Sequence, residues 1–409
     1  MENFTFKGNK LFWNNCALTN IATKYKTPFY LYSQKQLKSN AIFFKKTFSK
    51  VKPLICFSLK SNSNKTIIKE YAKLGLGADV VSAGELILAL KSGIKPNKIV
   101  FSGVGKTYDE LKYAISKKIF LINCESYSEV ISIYKISKSL GIKSKIGLRI
   151  NPDINAETHK KISTGGSQDK FGISTIELKK IIKDFKNSKS ILIAAISVHI
   201  GSQIKEVSPF KKCLLVLNKI LKKLKYENIN IKYVDLGGGM SIPYSPKDKK
   251  FPLKSYAKLV LDFKKSNKVD IIFEPGRYLS GNIGVIISKI IYVKKGEKKK
   301  FIVTDVAMND LIRTAMYDAY HFILPLTKRS VLNDKIEFVG PVCESSDKFG
   351  IYNNFSKIYE NDYICITNSG AYARSLASNY NMRPLLAELI VKGNKILTIR
   401  PRQKINKIN

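Results

Sequence analysis

The chain has 409 residues, enough for two domains that each bury a core, and 44% hydrophobic with 25% charged residues is a folded rather than a disordered composition. Its formal charge of +40 comes from 71 Lys and Arg against 31 Asp and Glu, yet only eight of the basic residues are arginines. Lysines spread evenly among Asn and Ile read as coding bias on solvated positions, not as the arginine-rich face of a nucleic-acid reader, so no nucleic-acid partner is expected.

The N-terminal residues Phe4-Thr5-Phe6 and Pro28–Tyr32 are strand-like and precede a regular rhythm. Short β-branched runs at 54–58, 78–81, 98–102, 120–123, 145–150, 192–198, 232–236 and 270–273 alternate with helical periods. The helical stretches are 65–74, 84–92, 108–116, 126–140, 175–186, 208–225 and 255–266. Eight strands alternating with helices predict a (β/α)8 TIM barrel over 30–280. A doubly wound open sheet is the alternative on pattern alone, though such sheets more often stop at five to seven strands. After Tyr278 the runs at 284–293, 301–303, 336–339, 362–366 and 385–391 predict a mostly antiparallel β domain. Residues 1–29 are able to join it, which makes it discontinuous, 1–29 plus 281–409.

No apolar run approaches the roughly 20 residues that span a bilayer, and Met1-Glu2-Asn3-Phe4 is neither a signal nor a transit sequence. Six scattered cysteines without a CxxC pair predict reduced thiols. A cytoplasmic chain with no membrane partner is expected. No His, Cys and Asp cluster has metal-ligand spacing, so no metal is expected either.

Catalytic groups of a barrel belong at the C-terminal ends of its strands. Lys60 follows the run Leu54-Ile55-Cys56-Phe57-Ser58 directly, which suits a Schiff-base lysine; a solvated surface lysine is the plainer alternative. His199, one of three histidines, closes another run beside Gly201 and Ser202, where a satisfied structural histidine would also fit. Gly237-Gly238-Gly239 allows close approach of backbone N–H groups to a phosphate, or makes a plain turn. Glu274-Pro275-Gly276-Arg277 offers a carboxylate for a pyridine nitrogen, or a structural ion pair. All four features end strands of one barrel. In the β domain, the acids around Cys343 suit a thiol that donates a proton better than a resting thiolate.

Together these motifs resemble the alanine-racemase-like, fold type III family of pyridoxal 5'-phosphate decarboxylases, and within it the diaminopimelate decarboxylases. The resemblance spans nearly the whole chain and is most specific in Gly370-Ala371-Tyr372-Ala373-Arg374-Ser375-Leu376-Ala377-Ser378-Asn379-Tyr380-Asn381. It implies that Lys60 forms the internal aldimine, that His199 stacks on the cofactor ring and that Glu274 pairs with the pyridine nitrogen. Ser202, Gly238, Gly239, Gly276, Arg277 and Tyr372 complete the cofactor set. Arg277, Arg313, Tyr317, Glu344 and Tyr372 would hold the substrate, with Cys343 as the proton donor. It further implies a homodimer with shared active sites, acting on meso-2,6-diaminopimelate at its D-configured centre to give L-lysine and CO2.

Glu344 after the cysteine and Gln203 after Gly201-Ser202 separate this chain from related ornithine and arginine decarboxylases, which carry Asp and Gly there. A decarboxylase of another basic amino acid is the alternative on the same fold. Ser61 departs from the usual Ala, and Ser241 from a frequent Gly, the latter a change that would shift the phosphate loop slightly.

Overall fold

A computed structural model describes residues 3–154 and 170–408. It divides into two compact units: Asn40–Ile242 with Lys250–Tyr278, and Met1–Ser39 with Pro243–Lys249 and Leu279–Asn409. Among the described residues of the first unit, eight parallel strands close into a barrel. In chain order these are Leu54–Ser58, Gly77–Val80, Ile99–Phe101, Leu121–Cys124, Ser144–Arg149, Ile191–Ser197, Tyr233–Asp235 and Asp270–Phe273. The closed sheet sets aside the open-sheet alternative.

Cys56, Val100, Leu121, Ala195 and Ile272 fill part of the barrel interior and are fully buried. A strand covered on both faces needs such near-continuous apolar runs, which is why these runs stood out in the sequence. Five of the intervening helices begin where short polar side chains take up unpaired N–H groups: Asn64, Ser82, Thr107, Ser126 and Ser174 each accept a backbone hydrogen bond. Thr107 with Glu110, and Ser174 with Glu177, form reciprocal capping boxes.

In the second unit, Phe29–Ser33 lies inside a large sheet. It runs antiparallel to Gly284–Lys295 and parallel to Ala387–Lys392. Lys300–Thr304 and Ile336–Val339 are also parallel, and the remaining pairings of the sheet are antiparallel. Residues 30–39 and 243–249, inside the barrel span read from the sequence, thus cluster with the β unit. Phe4–Lys7 pairs instead in a separate three-stranded sheet with Lys10–Trp13 and Cys16–Ala17.

Among the described residues, four α-helices went unread in the sequence: Leu18–Lys24, Gln34–Thr47 and the short Arg277–Ser280 and Arg313–Tyr317. The second carries a readable stripe, since Leu37, Ala41 and Phe44 are buried and Phe48 continues the spacing just beyond its end. Among the described residues, no helix is long and apolar enough to cross a membrane.

Candidate active site at the barrel strand ends

Lys60 sits in the short turn Leu59–Ser61 immediately after the first barrel strand. Register places Ser58 opposite Asp79, one residue before the end of the second strand. Asp79 Oδ2 accepts from Ser58 Oγ at 2.6 Å and from Lys60 Nζ at 3.1 Å. Ser61 uses its hydroxyl to donate 2.7 Å to Ser58 O, so this departure from Ala tightens the turn that presents Lys60. Asn62 and Asn64 continue the bracing, Asn62 Oδ1 accepting from Asn64 N and Asn64 Oδ1 from Thr66 N.

Glu274 ends the eighth strand, buried. Its Oε1 accepts from Ser102 Oγ at 3.1 Å. Burial pushes its pKa well up, and the charges of Asp235 and Asp79 push it further, while Lys60 opposes them. Asp235, at the end of the seventh strand, is raised to about 6, chiefly by burial.

His199 follows the sixth strand. Burial pulls its ring down to about 3, with help from Arg149 and Lys60, so it is neutral at physiological pH. Its Nδ1 accepts from Gly238 N at 3.3 Å, which fixes the plane of the ring. Gly237 has φ +62°, and a Cβ there would stand 2.7 Å from His199 Nδ1 and 2.8 Å from Val198 O. Here glycine is a requirement of close approach.

The segments after the sixth and seventh strands are zipped together. Ile204 N donates to Gly239 O at 2.9 Å, and Ser241 N to Ile204 O at 3.1 Å. Gln203 adds a two-point clamp, its Nε2 donating 2.7 Å to Ile242 O and its Oε1 accepting 3.1 Å from Ile242 N. The residue that marked the subfamily therefore works as a backbone staple. Ser241 keeps its place in the zipper through its own N–H, so its side chain does not open the loop. From Glu274-Pro275-Gly276-Arg277, Arg277 Nη2 donates to Ser202 Oγ at 3.1 Å. The barrel thus carries Lys60, His199, Ser202, Gly238, Gly239, Glu274, Gly276 and Arg277 on its C-terminal strand ends and the loops that follow them.

The other predicted residues belong to the β unit. Gly340–Asp347 is a tight loop closed on Asp347, whose carboxylate accepts from Val342 N and Met308 N, both at 2.7 Å. A Cβ on Gly340 would lie 2.3 Å from that carboxylate, which explains the glycine. The loop leaves Cys343 exposed, and the Tyr380 hydroxyl donates to Glu344 Oε1. Arg313 is buried, with Nη1 donating to Tyr244 Oη at 3.1 Å and to His321 Nε2 at 2.6 Å. His321 Nδ1 faces the Thr367 carbonyl at 2.9 Å, so that nitrogen bears the proton and Nε2 is the acceptor. Tyr317 ends the short helix Arg313–Tyr317, and Tyr372 is held at φ +55°.

Sequence reasoning passed over Asp79, Ser102, Asn123 and Asp235 as site residues, and His321 as the partner of Arg313. The signal for the first four was present. Ser102 and Asn123 close apolar barrel runs with a polar side chain, the criterion that selected Lys60 and Glu274, and Asp79 and Asp235 are acids set inside such runs. His321 had no such signal, because its partner lies eight residues away across an irregular turn.

The family model for the pyridoxal-dependent decarboxylase, pyridoxal binding domain, matches residues 34–281. The diaminopimelate decarboxylase of Zymomonas mobilis is 40% identical over 406 residues, covering 98% of this chain and 96% of its own. The crystal structure of diaminopimelate decarboxylase from Helicobacter pylori complexed with L-lysine matches with a TM-score of 0.91 at 39% identity, over 96% of this chain and 98% of that one. That from M. jannaschii in co-complex with L-lysine matches with a TM-score of 0.93 at 34% identity, over 100% and 96%. The chain belongs to the pyridoxal-dependent decarboxylases, and within them to the diaminopimelate decarboxylases.

Proposed function

We propose that this chain converts meso-2,6-diaminopimelate to L-lysine and CO2, with Lys60 as the residue that holds pyridoxal 5'-phosphate. The observation that carries the reading is one lysine at the barrel mouth set among buried carboxylates, Asp79, Asp235 and Glu274. Three buried acids beside one amine leave a shortage of positive charge, and burying a carboxylate without a cationic partner is costly. Glu274 would take a pyridinium nitrogen as its missing cationic partner. The cation and backbone N–H groups of the loops, Arg277 with Ser202 and the glycines Gly238, Gly239 and Gly276, suit a phosphate. The donor set fits the cofactor of the family.

When bound, the cofactor supplies an electron sink for the pair left behind as CO2 departs. Lys60 holds it, and Asp79 draws Lys60 Nζ to one side of the mouth and stabilises a proton there. Glu274 would keep the ring nitrogen charged. Neutral His199, its plane set by Gly238 N, offers a flat face for the ring. Tyr372 completes the phosphate and substrate contacts. Arg277, Arg313, Tyr317 and Glu344 read the distal carboxylate and ammonium of the substrate, and Arg313 is pre-aimed by Tyr244 and His321. Cys343 delivers the proton to the carbon that has lost CO2, and its exposure on the loop is compatible with that role.

The same reading includes a homodimer with shared active sites, one chain supplying Lys60 and its partner Cys343, and residence in the cytoplasm, which the six unpaired cysteines support. The test is a substrate panel. Purified protein with pyridoxal phosphate should release CO2 from meso-diaminopimelate at least a hundredfold faster than from lysine, ornithine or arginine. Preference for any of those three would transfer the assignment to a decarboxylase of another basic amino acid.

A further inference from the structure

Four polar side chains, each closing a different barrel strand, are linked in an order that permits only one direction. Asn123 Nδ2 donates to Asp235 Oδ2 at 2.8 Å and to Ser102 Oγ at 3.1 Å. Ser102 Oγ in turn contacts Glu274 Oε1 at 3.1 Å. An amide nitrogen only donates, so the serine oxygen accepts from it, and the single serine proton is left for Glu274. All four residues are buried, which makes each of these bonds costly to leave unmade.

The amide cannot be turned round. Reversal would set the Asn123 oxygen against the Asp235 carboxylate, acceptor facing acceptor. Asp235 is itself anchored, its Oδ1 accepting from Gly237 N at 3.0 Å. The Asn123 oxygen lies over Gly147, where a Cβ would stand only 2.3 Å from it, so the fifth strand needs a glycine at that point. Five strands are therefore committed to one orientation of one amide.

We propose that Ser102, Asn123 and Asp235 are positioning residues that act in series on Glu274, keeping Oε1 permanently in receipt of a hydrogen bond. The inference rests on the assignment of Glu274 to the cofactor's ring nitrogen. A donor aimed at a carboxylate favours its anion. Glu274 needs that help, because burial and the neighbouring charges of Asp235 and Asp79 favour its neutral form. With the serine proton in place, the proton shared between Glu274 and the ring rests on the ring. Without it, the proton moves towards Glu274, and the electron sink weakens while substrate contacts are untouched.

The experiment loads the full-length enzyme with pyridoxal phosphate labelled with 15N in the ring and records the nitrogen resonance. Wild type and Ser102→Thr, which keeps the hydroxyl, should both show the protonated position. Ser102→Ala should move it towards the unprotonated position and lower kcat about tenfold with KM nearly unchanged. Asn123→Asp should do the same, because the new carboxylate draws the serine proton away from Glu274. Glu274→Gln serves as the reference and should move the resonance furthest. A resonance that moves in Glu274→Gln but stays at the wild-type position in both Ser102→Ala and Asn123→Asp overturns the relay alone. One that stays put in Glu274→Gln as well overturns the assignment of Glu274 and the relay with it.

Discussion

Lys60 Nζ lies 3.1 Å from Asp79 Oδ2, a carboxylate with no exposed surface, while the lysine side chain itself remains 40% exposed. The pairing follows from register: the strand ending in Ser58 places its hydroxyl on Asp79, and the next turn brings Lys60 to the same oxygen. Asp79→Asn keeps the shape and removes the charge. We expect cofactor affinity, measured by equilibrium dialysis, to fall about tenfold, on the order of 1.4 kcal/mol. Unchanged affinity would mean that the ion pair does not prepare Lys60.

Glu344 sits on the loop organised by Asp347 and accepts from the Tyr380 hydroxyl. Glu344→Asp retains the charge but withdraws it by one methylene. Turnover of diaminopimelate should drop at least tenfold, about 1.4 kcal/mol in kcat/KM. Steady-state kinetics indistinguishable from wild type would remove Glu344 from substrate recognition.

His199 gives the fold an acid sensitivity with a defined sign. Its folded value, about 3, is depressed below the ordinary histidine value of 6.5, first by burial and then by Arg149 and Lys60. The neutral ring therefore contributes stability that is complete above pH 6.5 and is lost as pH falls towards about 3. Urea midpoints of the cofactor-free protein should decline across that window, and those of His199→Gln should decline less steeply. Parallel profiles would show that the ring is not shielded as described.

Much of this architecture was legible because parallel barrel strands are apolar on both faces and their ends are abrupt. The run ending at Ser58 pointed to Lys60, and the one ending at Phe273 pointed to Glu274, without any knowledge of pairing. Gln34–Thr47 was missed although Leu37, Ala41 and Phe44 keep helical spacing, because its polar remainder hid the stripe. The parallel pairing of Phe29–Ser33 with Ala387–Lys392 joins segments more than 350 residues apart, a relationship that no local pattern encodes. Asp79, Ser102, Asn123 and Asp235 matter through one another, and hydrogen-bond direction appears only when the strands are side by side.

The dimeric reading predicts complementation. Lys60→Ala and Cys343→Ala chains should each be nearly inactive. Mixed in equal amounts and allowed to exchange, half of the random dimers carry one chain of each kind. Each such dimer has one doubly damaged site and one intact site, so activity should recover to about a quarter of wild type. Absence of recovery, with exchange verified by mass-tagged chains, would mean that Cys343 serves the barrel of its own chain.

Among the many lysines of this chain, one is assigned the cofactor, and reduction with borohydride reads that assignment directly. The pyridoxal-phosphate-loaded enzyme is reduced, digested and mapped by mass spectrometry. A single pyridoxyl-phosphate adduct on the peptide containing Lys60, absent from Lys60→Ala, is the predicted result; an adduct confined to another lysine, or persisting at the same yield in Lys60→Ala, would contradict it.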